Sequence, residues 1–225
     1  MTKKPYIICH MMTSVDGRID CAMTSQLPGV EDYYATLASL DVPTTVSGRV
    51  TAELEMAEPG VFAAKDSTPY GREGFSKAAE AAGYEVVVDT HGRLLWPDAA
   101  GMEKPYLIVT SQQVPQEYLR YLDEKHISWI ACGESAIDLP RACAILAQEF
   151  GVKRMGIVGG PAINTAFLDA GLLDEISILI GAGVDGRKEM PSVFDGRGMD
   201  HPLTHLSLTD VEKFASGAVW LRYRV

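Results

Sequence analysis

The sequence predicts an α/β fold, with a mixed, mostly parallel sheet closed by an antiparallel hairpin at the C-terminus. Three observations predict it. From residue 6 to residue 180, short apolar runs alternate with segments whose apolar residues recur at helical spacing, the pattern of strands joined by crossover helices. Near the C-terminus the period changes to two: Val219, Leu221, Tyr223 and Val225 share one face, and Trp220, Arg222 and Arg224 the other. Within the first region, the glycine pair Gly159-Gly160 separates an apolar run from a helical pattern, a strand–turn–helix unit.

The elements follow in order. Residues 6–12 form a continuous apolar run and read as a central strand. Val30, Tyr33, Tyr34, Leu37 and Leu40 mark a helix, bounded by Pro28-Gly29 and Pro43. Strand-like runs follow at residues 44–46, 85–89, 106–110, 128–132 and 154–158. Pro115 opens a helix carrying Tyr118, Tyr121 and Leu122. Asp138 caps another, in which Leu139, Ala142, Cys143, Leu146 and Phe150 share a face and Gly151 stops it. After the glycine pair, Ile163, Ala166, Phe167 and Ala170 keep helical spacing up to Gly171. Residues 175–180 are a further strand, and residues 203–214 and 218–225 are two long strands joined at Ala215-Ser216-Gly217. Residues 58–77, rich in Gly, Pro and Ser, read as a long loop beside a site. No low-complexity linker divides the chain, so residues 1–225 read as one domain.

Composition narrows the function. The chain is 47% hydrophobic, enough for a sizeable core, and no run approaches the roughly 20 apolar residues that span a bilayer. Residues 1–5 begin as a secretory leader does, but the apolar run that follows is short and Thr13-Ser14-Val15-Asp16 breaks it, so the expected location is the cytoplasm. A net charge of −10 argues against nucleic acid as a partner, while leaving room for a small anion held by local N–H groups and arginines. Cys9, Cys21, Cys132 and Cys143 lie far apart without a C-x-x-C pair and read as reduced core thiols. His201 and His205 have zinc-like spacing, but Pro202 denies them a helix, and no metal site is expected. His10, inside the first strand, reads as a hydrogen-bonded core residue, and Trp96, Trp129 and Trp220 as core or interface.

Three polar, glycine-containing segments each follow a strand: Thr13-Ser14-Val15-Asp16-Gly17-Arg18, Ser47-Gly48-Arg49-Val50-Thr51, and the Gly159-Gly160 turn. Open α/β sheets bind ligands at the carboxyl ends of their strands, so these exits are expected to serve one cleft. A glycine turn at a helix N-terminus has two readings. It serves a tight reversal, or it bares main-chain N–H groups to a phosphate. Asp16 has two readings as well, a turn former bonding its own backbone or a group that orients substrate and assists proton movement.

The order S-x-D-G, then G-R-x-T, then V-x-D-T at residues 87–90, then G-G-P-x-x-N, then A-G-L-x-D-E at residues 170–175 resembles the reductase domain of riboflavin biosynthesis, within the dihydrofolate-reductase-like superfamily. The resemblance covers nearly the whole chain. It implies a three-layer α/β/α sandwich with NADPH laid across the strand ends. It places Gly159, Gly160, Pro161, Ala162, Ile163 and Asn164 on the cofactor pyrophosphate, and Met12 and Thr13 along the nicotinamide. Gly48, Arg49 and Thr51 form a second cofactor loop, with Arg49 suited to the adenosine 2′-phosphate, and Thr90 is a further contact. Ser14, Asp16 and Val158 fall on the substrate side, Ser14 and Asp16 as the catalytic candidates.

The implied reaction is NADPH-dependent reduction of 5-amino-6-(5-phosphoribosylamino)uracil or its 2,5-diamino pyrimidinone counterpart, with hydride passing to a ribosylamino carbon. Two features depart from the family pattern, both on the substrate side. Val158 stands where an acid normally precedes the glycines, and the first helix lacks the expected phosphate-binding arginine, leaving Arg49 and Arg72 as nearest candidates. The alternatives are therefore a reductase of another small imine, carbonyl or pterin, and an inactive NADPH-binding sensor. Dihydrofolate fits poorly, because no Trp-acid pair follows the first strand. Trp220 beside Arg222, and the habit of related reductases, lead to the expectation of a homodimer built partly from the C-terminal strands.

Overall fold

The computed structural model describes residues 4–225, so the leader-like reading of the first residues falls partly outside it. In chain order the elements are β1 (Tyr6–Thr13), α1 (Cys21–Thr24), α2 (Val30–Ser39), β2 (Thr44–Gly48), α3 (Arg49–Glu55), β3 (Gly74–Ser76), β4 (Glu85–Val88), β5 (Tyr106–Thr110), α4 (Gln116–Glu124), β6 (Ser128–Ala131), α5 (Leu139–Gln148), β7 (Arg154–Gly159), α6 (Pro161–Asp169), β8 (Glu175–Ile180), β9 (Ser207–Lys213) and β10 (Val219–Arg224). The chain divides into two compact units, each built from two stretches of sequence.

One unit contains Pro43–Met155. Its strands run in the order β3-β6-β5-β4-β2, with β2, β4, β5 and β6 parallel and β3 antiparallel on β6. Its core gathers Val87, Ile108 and Ala131 of the strands with Trp96, Tyr118, Leu122 and Trp129. Tyr118 and Leu122 lie four apart on α4 and share one buried face, as the helical spacing predicts. The Asp138 carboxylate caps α5 by accepting from the Arg141 amide at 2.9 Å, as expected of an Asp in that place.

The other unit contains Tyr6–Val42 and Gly156–Val225, with strand order β7-β1-β8-β10-β9. β1 and β8 are parallel, in a register that sets Thr13 opposite Ile180. β10 is antiparallel to both β8 and β9, so the hairpin closes the sheet on this side. Seven of the eight β1 residues are buried, which is why its sequence is a continuous apolar run rather than an alternation. Ile8, Met12, Leu27, Leu40, Leu179 and Trp220 form the core.

Several boundaries differ from expectation, for physical reasons. α3 was not foreseen because Val50 and Leu54 point to solvent and only Ala52 is buried, so no apolar stripe marks it. The long loop after it carries the short edge strand β3. β9 begins at Ser207 rather than Leu203, because the register pairs Ser207 with Arg224 and β10 offers no residue further on. Cys9, Cys132 and Cys143 are buried thiols, but Cys21 is exposed at the start of α1 and is no core residue.

Candidate functional site

β1 ends at Thr13, and the chain reverses at once. The Gly17 amide donates to the Ser14 carbonyl at 2.9 Å, with Gly17 at φ +80, a conformation that favours glycine. Ser14 is buried, and its hydroxyl donates to Asp16 Oδ1 at 2.7 Å and accepts from the Arg18 amide at 3.1 Å. Asp16 reaches across to a second turn, its two oxygens accepting from the amides of Asp185 and Gly186 at 2.9 and 3.0 Å. The Ser14 bond, followed by these two amides, holds the Asp16 carboxyl well below the ordinary carboxylate range. An acid so held has no proton to give near neutral pH, and it already accepts three hydrogen bonds from the protein. Arg187 completes the turn, donating to Asp185 and to Asp20. The Asp16-Gly17-Arg18 and Asp185-Gly186-Arg187 turns therefore interlock.

In the same unit, β7 runs into the glycine pair. The Gly159–Gly160 peptide is cis, and Gly159 has φ +136. Gly160 is the N-cap of α6, with an extended backbone at φ −92 and ψ −167 that any residue adopts. No side chain caps this helix, and its first turn holds no acidic residue. Pro161 has no N–H, and the first helical bond runs from the Asn164 amide to the Gly160 carbonyl at 3.1 Å. The amides of Ala162 and Ile163 precede it, and such first-turn donors need a partner from outside the helix. This N-terminus, unlike that of α5, suits an anion. Val158 is half-buried beside it. Asn164 is wholly buried, with Nδ2 donating to the Val193 carbonyl at 2.8 Å and Oδ1 without a partner; the Thr165 hydroxyl is likewise buried and unpartnered.

The remaining expected cofactor residues belong to the other unit. Gly48 closes β2, and Arg49 and Thr51 lie in the first turn of α3 rather than in a loop. Arg49 is well exposed and pairs with Glu53 at 2.9 Å, a contact of small energy that an incoming anion displaces readily. Thr90 follows β4, and its carbonyl accepts from the Thr110 and Ser111 hydroxyls at 3.0 and 2.9 Å. Beside these lie two groups that sequence reasoning missed. Ser47 Oγ, in β2, and Asp89 Oδ1, just past β4, are buried without partners, while Asp89 Oδ2 accepts from the amides of Arg93 and Leu94. β2 and β4 are parallel neighbours, so both orphans stand near carboxyl ends of adjacent strands. Buried polar atoms are normally paired, which makes these positions for a polar ligand or water. Arg72, a candidate for the missing phosphate arginine, is exposed and lies over the Tyr70 ring.

Other motifs resolve into architecture. In A-G-L-x-D-E, Gly171 has φ +63 just past the end of α6 and the Leu172 amide returns to the Phe167 carbonyl at 3.0 Å. Asp174 accepts from the Ile7 amide at 2.8 Å, and Glu175 takes Arg222 at 2.6 Å. This segment fastens α6 to the start of β1. His10 is buried, its ring stacked on Tyr33 at 4.8 Å. Trp220 Nε1 donates to Ser177 Oγ, which turns the serine proton toward His10 Nδ1 and leaves the imidazole proton on Nε2, facing Thr36 Oγ1. Burial pushes its pKa down to about 4. Trp220 is thus buried, while Arg222 is partly exposed and paired with Glu175 of its own chain. His201 lies in a loop, accepted by Pro202 and near Asp169. Among the described residues no cluster of three or more His, Cys, Asp or Glu could hold a metal, and no helix is long and apolar enough to cross a membrane.

Comparison with known proteins gives the chain's family and agrees with its fold. Two 2,5-diamino-6-ribosylamino-4(3H)-pyrimidinone 5′-phosphate reductases are similar in sequence. That of Methanothermobacter thermautotrophicus is 25% identical over 214 residues, covering 88% of this chain and 87% of its own. That of Archaeoglobus fulgidus is 25% identical over 231 residues, covering 98% and 99%. Among solved structures, a pyrimidine reductase-like protein of Corynebacterium diphtheriae superposes with a TM-score of 0.74 at 20% identity, over 98% of this chain and 92% of its own. The riboflavin biosynthesis reductase of Saccharomyces cerevisiae gives 0.63 at 16% identity, over 98% and 90%. These likenesses show a common α/β fold with a mixed sheet. The model of the RibD C-terminal domain matches residues 5–220, and the chain belongs to that family.

Proposed function

We propose that this protein is an NADPH-dependent oxidoreductase whose substrate is a phosphorylated ribosylaminopyrimidine. The observation that carries the reading is the uncapped first turn of α6 behind the Gly159-Gly160 turn. The two archaeal relatives carry the name of that reaction, and the chain matches them over nearly their whole length. The unbroken family match also supports treating residues 1–225 as one functional domain.

The residues present fit a dinucleotide. Behind the Gly159-Gly160 turn, the first-turn amides of Ala162 and Ile163 are donors suited to a pyrophosphate, with Pro161 and Asn164 flanking them. Met12 and Thr13, at the buried end of β1, stand where the family resemblance places the nicotinamide. In the other unit, Gly48, Arg49, Thr51 and Thr90, with the orphaned Ser47 and Asp89 oxygens, supply groups suited to the adenosine half; the Arg49 fork is the natural partner of a 2′-phosphate and the reason to name NADPH. The bound cofactor supplies hydride. The protein's part is to orient the acceptor carbon and exclude water. Ser14 and Asp16 position the substrate-side turn, and Asp16, held ionised, orients rather than protonates. A proton, where one is needed, comes from solvent or substrate.

The occupant of the exposed β9 edge is a second copy of the chain, because Leu208 and Val211 stand open there. We place the enzyme in the cytoplasm, with its biosynthetic substrate.

The test is NADPH oxidation followed by absorbance with a panel: both pyrimidine phosphates, dihydrofolate, and simple imines and carbonyls. Turnover of a pyrimidine phosphate is expected. NADPH binding without oxidation by any compound would establish the sensor reading instead, and faster oxidation with a carbonyl or imine would replace the substrate.

A further inference from the structure

Between β8 and β9 lies a long irregular stretch, residues 181–206, and such segments in compact proteins are usually functional. Its first half is tied down in sequence. The Val15 amide donates to the Gly183 carbonyl at 2.8 Å, and the Asp16 carboxylate accepts from Asp185 and Gly186. Arg18 Nη1 donates to the Met190 carbonyl at 2.5 Å, and the Ile19 amide to the Pro191 carbonyl at 3.2 Å. Asn164 Nδ2 then takes the Val193 carbonyl, and Arg197 ends the run on Asp169. The fastenings pass from the turn after β1 to α6. Residues 190–194 are half-buried along this path, whereas residues 186–189 are exposed.

We infer that residues 183–195 form a strap across the substrate side of the site, and that Asp16 and Asn164 are positioning residues that set where it lies. Both belong to strand-exit motifs, yet both spend their side chains on the strap's main chain. Main-chain partners fix position without regard to the strap's side chains, so Met190, Pro191, Val193 and Phe194 are free to set specificity. They give that wall an apolar character, in keeping with Val158, and an apolar wall excludes water from a hydride transfer. The specificity claim rests on the functional reading above; the fastening claim does not.

Two variants test it. Asn164→Leu removes one bond at nearly constant shape, and Asp16→Asn, on an exposed turn, removes one of two amide acceptors. Loss of a hydrogen bond of ordinary strength should speed amide hydrogen exchange in residues 183–195 of the ligand-free protein by about 5–10-fold, with β1 and β8 unchanged. With NADPH and 2,5-diamino-6-ribosylamino-4(3H)-pyrimidinone 5′-phosphate as probes, KM for the pyrimidine should rise several-fold and kcat change less. Should Asn164→Leu fail to fold, Asp16→Asn carries the test. Unchanged exchange in the strap overturns the fastening. Faster exchange with an unaltered KM, or an equal fall in kcat at constant KM, overturns the role in substrate binding. Wild-type calorimetry without NADPH binding would overturn the functional reading alone, since exchange in the ligand-free protein still decides the fastening.

Discussion

Replacing Gly160 by aspartate should separate the two readings of the glycine pair, because it moves stability and cofactor affinity in opposite directions. Gly160 is the α6 N-cap and sits at φ −92, so a side chain there meets no backbone penalty. Aspartate is among the best N-cap residues, gaining a few tenths of a kcal/mol over glycine by accepting from a first-turn amide and by facing the positive helix end. The melting temperature should therefore hold or rise slightly. The same carboxylate would occupy the donors assigned to the pyrophosphate and add a like charge. Two unit charges roughly 4 Å apart repel by about 4 kcal/mol at an effective dielectric constant of about 20, close to a thousand-fold in affinity. Calorimetric titration with NADPH, beside a thermal melt of the same preparation, reads both. A folded variant that binds NADPH within tenfold of the wild type would show that the glycines serve only the turn, and the cofactor assignment at α6 would fall.

Three further outcomes are expected. His10 has its pKa lowered from 6.5 to about 4, so on acidification the unfolded chain takes up this proton first; stability should fall between about pH 6.5 and 4, by about 3 kcal/mol, and level off below. His10→Gln should flatten that slope in urea titrations at pH 7 and pH 4.5, and a slope equal to the wild type would remove His10 as its source. Val158→Glu restores an acceptor beside the glycines and should raise kcat/KM on the pyrimidine phosphate by roughly 10- to 100-fold, the worth of a hydrogen bond to a charged group; wild-type activity on that compound exceeding every other tested would show that other contacts replace the acid. Light scattering at micromolar concentration should report a dimer that Val211→Lys shifts toward monomer, and a monomeric wild type would exclude pairing through β9.

Much of the fold was legible because burial writes itself into composition. β1 reads as an unbroken apolar run since both its faces are covered, and β5 and β8 were placed to the residue for the same reason. α5 announced itself through Asp138 and Gly151. α3 left no such trace, because a helix that turns Val50 and Leu54 to solvent has no periodicity to read. β3, only three residues long, is held by antiparallel bonds to β6 rather than by its own pattern.

For the site, the sequence alone determined which short motifs follow strands, and that glycine and proline, not a capping side chain, open α6. Those are local properties, settled by the φ/ψ needs and hydrogen-bonding groups of a few adjacent residues. What each side chain is spent on was decided by tertiary structure. Asp16 read as turn former or catalyst, and Asp185 and Gly186, distant in sequence, deliver two amides to it. The bond from the Asn164 side-chain amide to the Val193 carbonyl, 29 residues on, was not legible either. Trp220 read as core or interface, and burial with a bond to a hydroxyl on β8 puts it in the core. A hydrogen bond is satisfied by whichever group the folded chain brings within reach, and that choice lies in long-range packing rather than in any window of sequence.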